Sequence, residues 1–471
     1  MNIGFNKKDG LLLKLFEVFI DILLVNLAYY IAFQLRYNFH PALRNIEPYY
    51  DIIVYISIAT FLIFTFMNTL SRLNKAMVDI VFNLIISLLL LNITTAALAF
   101  FNRGFPFPRS IFLIAFILQL ILMSLSKTLF SFYMKKSYSQ KKIMIIGSKK
   151  EAENIATRLL LNKLNLDNLR YICNHVDDKL YALIEDVDKI YVGASISGDI
   201  KSEIISYCIG KDKLVYLVPE LFEIAMINAK TVQLDDIPVF EIDNFHLSME
   251  NMVIKRAFDL IFSTIALLIT LPSMAVIALI IKIYDGGPVF FKQVRITQGN
   301  KEFKVYKFRT MVVNAEKKTG PVLAKDKDPR ITPLGRFLRA TRLDELPQFF
   351  NVFKGDMSLV GPRPEREHFI NEFTKNIPHF KYRVVVKAGI TGLAQVLGKY
   401  TTSPEDKVRF DLLYIRNYSF LLDLKILVET LKVIFTKESS AGMKKERTIE
   451  ELFSELDIKV SREMSITKVE N

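Results

Sequence analysis

At 471 residues the chain is too long for one ordinary domain and has room for two or three. It is 51% hydrophobic yet 24% charged, which excludes a uniformly apolar protein and points to membrane segments joined to soluble domains. A net charge of +13 would suit nucleic acid, but anionic lipid headgroups and phosphate-bearing substrates explain it more economically beside four long apolar stretches, so no nucleic-acid partner is expected.

Residues 52–71 and 80–102 run uncharged for 20 and 23 positions, each enough to cross a bilayer core about 30 Å thick. Residues 110–126 add 17 more and extend to about 134 across a lone Lys127. The first stretch is clean over 22–35, with Lys14, Glu17 and Asp21 just before it, which reads as a span whose first turns sit at the membrane interface. A cleaved signal peptide is not expected, because acidic residues interrupt the approach and "FQLRYN" offers no small-residue cleavage site. One side of the four spans would carry Lys7, Lys8, Lys14, Arg72, Lys75, Lys127, Lys135, Lys136, Lys141 and Lys142, the other Arg36, Arg44, Arg103 and Arg109. That bias places the N-terminus and everything after the fourth span in the cytoplasm. Four spans without buried charged pairs offer little for a transport pathway. Cys173 and Cys208 lack metal-site spacing and read as core thiols.

From "KIMIIGS" (142–148) onward, short β-branched runs alternate with helical patterns, as in "KIYVGAS" and "KLVYLVP". Such alternation predicts a parallel α/β sheet. The first turn has Gly147 alone where a dinucleotide site wants three glycines, which favours a structural or regulatory Rossmann-like module over a nucleotide-binding one.

A fifth apolar run, 260–281, is uncharged for 22 residues and has Pro272 at its middle. An interior proline removes a backbone hydrogen bond and kinks a helix. A re-entrant helix over 255–283, bent at Pro272, would keep both ends cytoplasmic; a kinked span is the alternative.

Residues 288–311 read as two β arms around "TQGN", carrying Lys292, Arg295, Lys304, Lys307 and Arg309; Arg330, Arg336, Arg339, Arg342 and Arg363 follow. Arginines interleaved with Gly, Pro and aromatics suit fixed, bidentate phosphate recognition. Leu346, Phe349, Phe350 and Phe353 recur at helical spacing, with Gly355 as the stop. Capping by Asp344 would put Pro347 in the first turn, where its missing N–H costs little, and would set Asp344 and Glu345 beside the positive helix end, a good seat for phosphate.

"KRAFDL", "GGPVFFKQVRI", "FKVYKFRTM", "DPRITPLGRFLR", "RLDELPQFFNVFKGDMSLVGPRPE" and "GITGLAQV" resemble the bacterial sugar transferases, the monotopic phosphoglycosyl transferases, over about 251–436. The whole layout is similar to their large, polyprenyl glycosylphosphotransferase subgroup. The resemblance implies transfer of a sugar-1-phosphate from a UDP-sugar to undecaprenyl phosphate at the bacterial inner membrane, starting a surface polysaccharide, lipopolysaccharide or glycoconjugate. It implies Asp344 as the nucleophile, an aspartyl-phosphosugar intermediate with release of UMP, and Mg2+ held by Glu345 with Asp344. Arg342 and Arg363, the latter between Pro362 and Pro364, are the expected phosphate clamps, with Arg339, Lys307 and Arg309 in support. Leu271 before the proline and Ala388 in "KAGITG" depart from the family's usual residues; His368 and His379 are assigned no role.

The expected fold is therefore a membrane protein of α plus α/β class. Residues 1–136 would form four transmembrane helices, 137–250 the Rossmann-like module, 251–436 the mixed α/β catalytic domain and 437–471 a charged tail, in which "IEELFSEL" reads as a short interaction helix. Membrane lipids are expected partners, and self-association is left open. Rival readings are a nucleotide-sugar-binding protein without turnover and a lipid-linked sugar flippase.

Overall fold

The computed structural model describes residues 7–67, 69–70, 76–102, 108–162, 164–176, 179–243, 245–313, 328–398, 402–435, 448–463 and 466–470. Arg72, Lys75 and Arg103 of the charge count, and the tail between 436 and 447, lie outside the described residues. The chain divides into two units: residues 1–218 with 447–471, and Pro219–Glu446.

The first unit opens with α1 (Lys7–Arg36), α2 (Leu43–Phe66), α3 (Met77–Phe101) and α4 (Arg109–Lys136), all long and apolar enough to cross a membrane. Val25, Tyr29, Ile52, Ile56, Leu84, Leu88 and Met123 share one core, while Leu23, Val54, Ile93 and Ile121 face outward. Some polar side chains inside the bundle form a chain: Tyr29 Oη donates to Asn92 Oδ1 (3.0 Å) and Asn92 Nδ2 to Gln119 Oε1 (3.1 Å). One sequence expectation is corrected here. Glu17 and Asp21, just before the clean part of the first apolar stretch, are buried around Lys127, whose Nζ lies 2.7 Å from Glu17 Oε1 and 2.6 Å from Asp21 Oδ2. The four spans do contain buried charged pairs, and each charge is retained because its partner is within contact.

Next come β1 (Lys142–Ile146), α5 (Lys149–Leu161), β2 (Asn168–Cys173), α6 (Lys179–Glu185), β3 (Lys189–Val192), α7 (Gly198–Cys208) and β4 (Leu214–Leu217). The four strands are parallel in the order β2-β1-β3-β4. Met144 and Ile146 enter one core and Ile143 and Ile145 another, so β1 is buried on both faces and reads as a continuous apolar run. Cys173 and Cys208 are buried thiols not joined in a disulfide. After β1, the single-glycine turn leads to Glu151, which accepts from the Ala194 N–H (2.6 Å) and the Ser195 N–H (3.0 Å) beyond β3. A Cβ on Gly193 would come within 2.4 Å of that carboxylate, so the approach requires glycine.

The second unit contains α8 (Leu221–Met226), β5 (Lys230–Leu234), β6 (Ile237–Glu241), α9 (Met249–Asp285), β7 (Phe290–Ile296), β8 (Glu302–Phe308), α10 (Pro333–Ala340), α11 (Gln348–Lys354), β9 (Ser358–Val360), α12 (Glu367–Asn376), β10 (Gly389–Thr391), α13 (Leu393–Leu397), α14 (Pro404–Arg416) and α15 (Phe420–Phe435). Residues 219–250, grouped with the module on sequence, fall in this unit. β5–β6 and β7–β8 are antiparallel pairs, and β9–β10 is a parallel one.

The fifth apolar helix, α9, runs unbroken through Pro272 for 37 residues and ends at Gly286 with φ 67°. Its first turns are bolted down by polar contacts. Arg256 donates to the carbonyls of Val352 and Phe353 (both 2.8 Å), and Asp259 Oδ1 accepts from Ser358 Oγ (3.0 Å) and the Leu359 N–H (2.9 Å). Toward its other end, Met274, Ile277 and Ile281 pack on Phe308 and Leu338. Leu268, Ile269, Leu271 and Leu279 between and around these contacts are exposed.

The chain then returns to the first unit as α16 (Ile449–Glu455), β11 (Lys459–Glu463) and β12 (Ile466–Glu470). β12 pairs antiparallel with β2, and β11 with β12, completing a six-stranded mixed sheet. This corrects the reading of residues 437–471 as one charged tail. Ile449, Phe453 and Val469 are buried with Ala152 and Ala156 of α5, and the lysines and glutamates that gave the segment its polar look alternate with them.

Candidate active site

Sequence dictates the local frame on both sides of Asp344. Thr332 caps α10 by accepting from the Gly335 N–H (2.9 Å), and Pro333 fills its first position. Gly335 is required there, because a Cβ would lie 2.0 Å from the Thr310 carbonyl. After Thr341, Arg342 takes a left-handed conformation (φ 58°), which ends the helix and turns the chain. Leu343–Glu345 then form one 3-10 turn, Pro347 follows, and α11 starts at Gln348.

Two expectations change. Asp344 does not cap α11: no side-chain cap bond is made, and the helix begins after Pro347, the residue that lacks an N–H to give. Phe350 and Phe353 stay exposed at 40% and 47%, whereas Gln348, Asn351 and Val352 face inward. Asn351 explains the rotation. Its Nδ2 donates to the Lys304 carbonyl (2.8 Å) and its Oδ1 accepts from the Tyr306 N–H (3.0 Å), so α11 stands in for a neighbouring strand along β8. Gly355, with φ 95°, ends α11 as expected.

That grip presents the next residue, Lys307, to the turn: its Nζ is 2.6 Å from Glu345 Oε1. Arg363 reaches the same oxygen at 3.5 Å. Arg339 is steadied by donation from Nε to Thr310 Oγ1 (2.8 Å), and its charge, with that of Arg342, acts on Asp344. Four of the five predicted phosphate ligands therefore surround the dyad. Arg309 is buried against Gly287 at the end of α9, where a Cβ would meet its guanidinium. Pro272 lies within α9.

The two carboxyls are driven apart. Burial, then the adjacent Glu345 charge, pushes Asp344 up to about 6, against the pull of Lys307, Arg339 and Arg342. Burial also pushes on Glu345, but Lys307, Arg363 and Arg342 together outweigh it and hold that group well below the usual carboxylate range. Glu345 in turn lifts Arg363 above its ordinary value. Adjacent acids with diverging proton affinities are a mark of assigned chemical roles.

A shallow cleft beside the dyad is lined by Lys307, Gln348, Arg363, Arg295 and Gly389 among others. Gln348, 3% exposed, was missed as a site residue on sequence. Its place at the first position after Pro347, four residues from Asp344, was the available signal.

Residues 250–437 match the family model described as bacterial sugar transferase. The chain is 45% identical over 186 residues to the UDP-N-acetylgalactosamine-undecaprenyl-phosphate N-acetylgalactosaminephosphotransferase of Aeromonas hydrophila, covering 39% of this chain and 44% of that protein. It is 37% identical over 260 residues to the UDP-glucose:undecaprenyl-phosphate glucose-1-phosphate transferase of Klebsiella pneumoniae, covering 54% and 56%. The matches thus span about half the length of these two relatives. A third relative, from Bacillus subtilis (strain 168), is named for transfer of N-acetylgalactosaminyl 1-phosphate to undecaprenyl phosphate; it is 47% identical over 149 residues, 31% of this chain and 83% of that protein. With the motifs, the dyad and a relative covered over most of its length, the chain belongs to the bacterial sugar transferase family.

Proposed function

We propose that the protein transfers a sugar-1-phosphate from a UDP-sugar to undecaprenyl phosphate at the bacterial inner membrane, releasing UMP and initiating a surface polysaccharide or glycoconjugate. The observation that carries this reading is the split dyad: a buried Asp344 beside a Glu345 held ionised by Lys307 and Arg363, within the segment that matches the named phosphotransferases.

A carboxylate oxygen of Asp344 attacks the β-phosphorus of the donor, and the bond to the bridging oxygen breaks as UMP leaves. A phosphate oxygen of undecaprenyl phosphate then attacks the same phosphorus and displaces Asp344, giving the lipid diphosphosugar. Covalent catalysis of this kind divides one hard transfer into two easier ones. Lys307 and Arg363 receive the diphosphate, Arg339 and Arg342 add positive potential, and Arg309 anchors the end of α9.

Mg2+ fits the donor set. No hydrogen bond to the Asp344 carboxylate or to Glu345 Oε2 is present among the described residues, and no cluster of three or more His, Cys, Asp or Glu side chains is found there. Two hard carboxylates, with substrate phosphates and water for the remaining positions, match that ion's habit. When bound, it would neutralise diphosphate charge.

Helix α9 is proposed to enter one leaflet and turn back through a bend at Pro272 that leaves its helical run continuous. Both of its ends pack on the same unit, through Arg256 and Asp259 at the start and Met274, Ile277 and Ile281 later. The four-helix region makes the protein multi-pass, with its soluble parts cytoplasmic, and the parallel sheet serves as a Rossmann-like scaffold.

The test is turnover in purified membranes with undecaprenyl phosphate and a panel of UDP-sugars, reading UMP. Wild type should release UMP with at least one donor. Asp344→Asn should be inactive yet folded and membrane-bound. Labelled donor without lipid should leave a phosphosugar on the enzyme. Failure of wild type to release UMP with any donor, or full activity in Asp344→Asn, overturns the proposal.

A further inference from the structure

The loop that carries Arg363 has two prolines, Pro362 and Pro364, which have no N–H to give. Its four successive carbonyls are instead each met by a separate outside donor. Pro362 accepts from the Gly389 N–H (2.9 Å), Arg363 from Arg383 Nη2 (3.0 Å), Pro364 from Arg295 Nη1 (3.1 Å) and Glu365 from the Ile296 N–H (3.0 Å). Two of these donors are backbone groups in β10 and β7. The donor at Arg363 itself is a side chain with no strand to hold it.

Arg383 is held another way. It is 6% exposed, and its guanidinium stands 4.8 Å above the Phe380 ring. Nε and Nη2 both reach Asp411 Oδ2, at 3.1 and 2.8 Å, and Nη1 faces Glu365 Oε1 at 3.9 Å. Asp411, on α14, is 1% exposed. One guanidinium plane thus joins α14 to the main chain at the residue whose own guanidinium reaches the dyad.

We infer that Arg383, oriented by Asp411, is the positioning residue for Arg363: by fixing the Arg363 carbonyl it aims the Arg363 side chain at Glu345 and at the donor diphosphate. This rests on the function proposed above. A buried ion pair is a weak source of stability compared with well-packed apolar residues, so fold stability alone is a poor reason for this arrangement. Its planar fork suits the task, since an ammonium cannot serve Asp411 and the carbonyl in one plane. A displacement on the order of 1 Å at a substrate-positioning group costs about a hundredfold in rate.

The experiment is a double-mutant cycle on the full chain in membranes, using UMP release. Its variants are Arg383→Lys, Asp411→Asn, Arg363→Ala, and the Arg383→Lys/Arg363→Ala pair. Arg383→Lys should lower kcat/KM about a hundredfold. Arg363→Ala should lower it at least as much, and the pair should be no worse than Arg363→Ala alone. Asp411→Asn, nearly unchanged in shape, should reproduce the loss with an unaltered circular dichroism spectrum, and it replaces Arg383→Lys if that variant does not fold. Losses that multiply in the pair, or an Asp411→Asn enzyme with wild-type kcat/KM, overturn the inference while leaving the parent reaction standing. A wild-type enzyme that releases no UMP defeats the parent reaction instead.

Discussion

The ammonium of Lys307 sits 2.6 Å from Oε1 of Glu345, a strand residue meeting the turn between two helices. It is a main reason Glu345 stays ionised despite burial, and it also restrains the rise at Asp344. Lys307→Met keeps the length of the side chain and removes its charge. We expect kcat/KM to fall by about two to three orders of magnitude, the usual cost of one preorganised charge donor, with secondary structure intact. A near-normal enzyme would remove Lys307 from the site.

The protonation of Asp344 gives a second measurement. In metal-free protein its carboxyl titrates at about 6, above an ordinary aspartate, because burial and Glu345 disfavour its charge. The sign follows: the acid form is present below that pH and is lost as pH rises through it. In infrared difference spectra, because buried Asp411 is also pushed up to about 6, the comparison is between enzymes: metal-free wild type should show one more protonated carboxyl titrating there than Asp344→Asn does. Added Mg2+, favouring the carboxylate, should move the transition to lower pH. An Asp344 contribution that titrates near 4, or no difference between wild type and Asp344→Asn near 6, contradicts this picture.

Topology is open to labelling. Glu250, in the first turn of α9, and Asn300, beyond its far end, are exposed, and the two native thiols are buried and do not compete. Single cysteines at 250 and 300 should both react with an impermeant reagent from the cytoplasmic side. Reaction from opposite sides would make α9 a true span.

In the bundle, Lys127→Met would leave Glu17 and Asp21 buried without their cation. Breaking such a pair costs about 3–5 kcal/mol, so a marked fall in thermal midpoint or membrane yield is expected. Removing all three charges together (Glu17→Leu, Asp21→Leu, Lys127→Met) should recover much of the loss. An unaffected single variant would show that the triad contributes nothing to stability.

Much of the catalytic segment was legible in advance because its signals are local. The 22-residue run around Pro272, the β arms flanking "TQGN" and the glycine stop at Gly355 each depend on neighbours a few positions away. What escaped depends on distant partners. Lys127 looked unpaired because its carboxylates lie 106 and 110 positions earlier. The aromatic spacing of 346–353 marked an apolar face, but the side that packs inward includes Asn351, which turns toward β8 for two backbone bonds that no periodicity counts. The start of α11 was misjudged because Arg342 takes a left-handed conformation, which a non-glycine residue rarely does.

The pairing of β12 with β2 has a consequence for how the protein is made. Ile466 lies beside Cys173, roughly 290 positions later in the chain. During synthesis, four membrane helices and the whole catalytic unit must leave the ribosome before that edge of the sheet is covered. Until then β2 offers an unpaired strand edge, a ready template for association with other chains. Chains stopped after Phe435 would keep that edge permanently and should accumulate as aggregates on size-exclusion chromatography, even with the dyad intact. For this protein, then, residues 466–470 act as a seal on a strand that emerges roughly 290 positions before them.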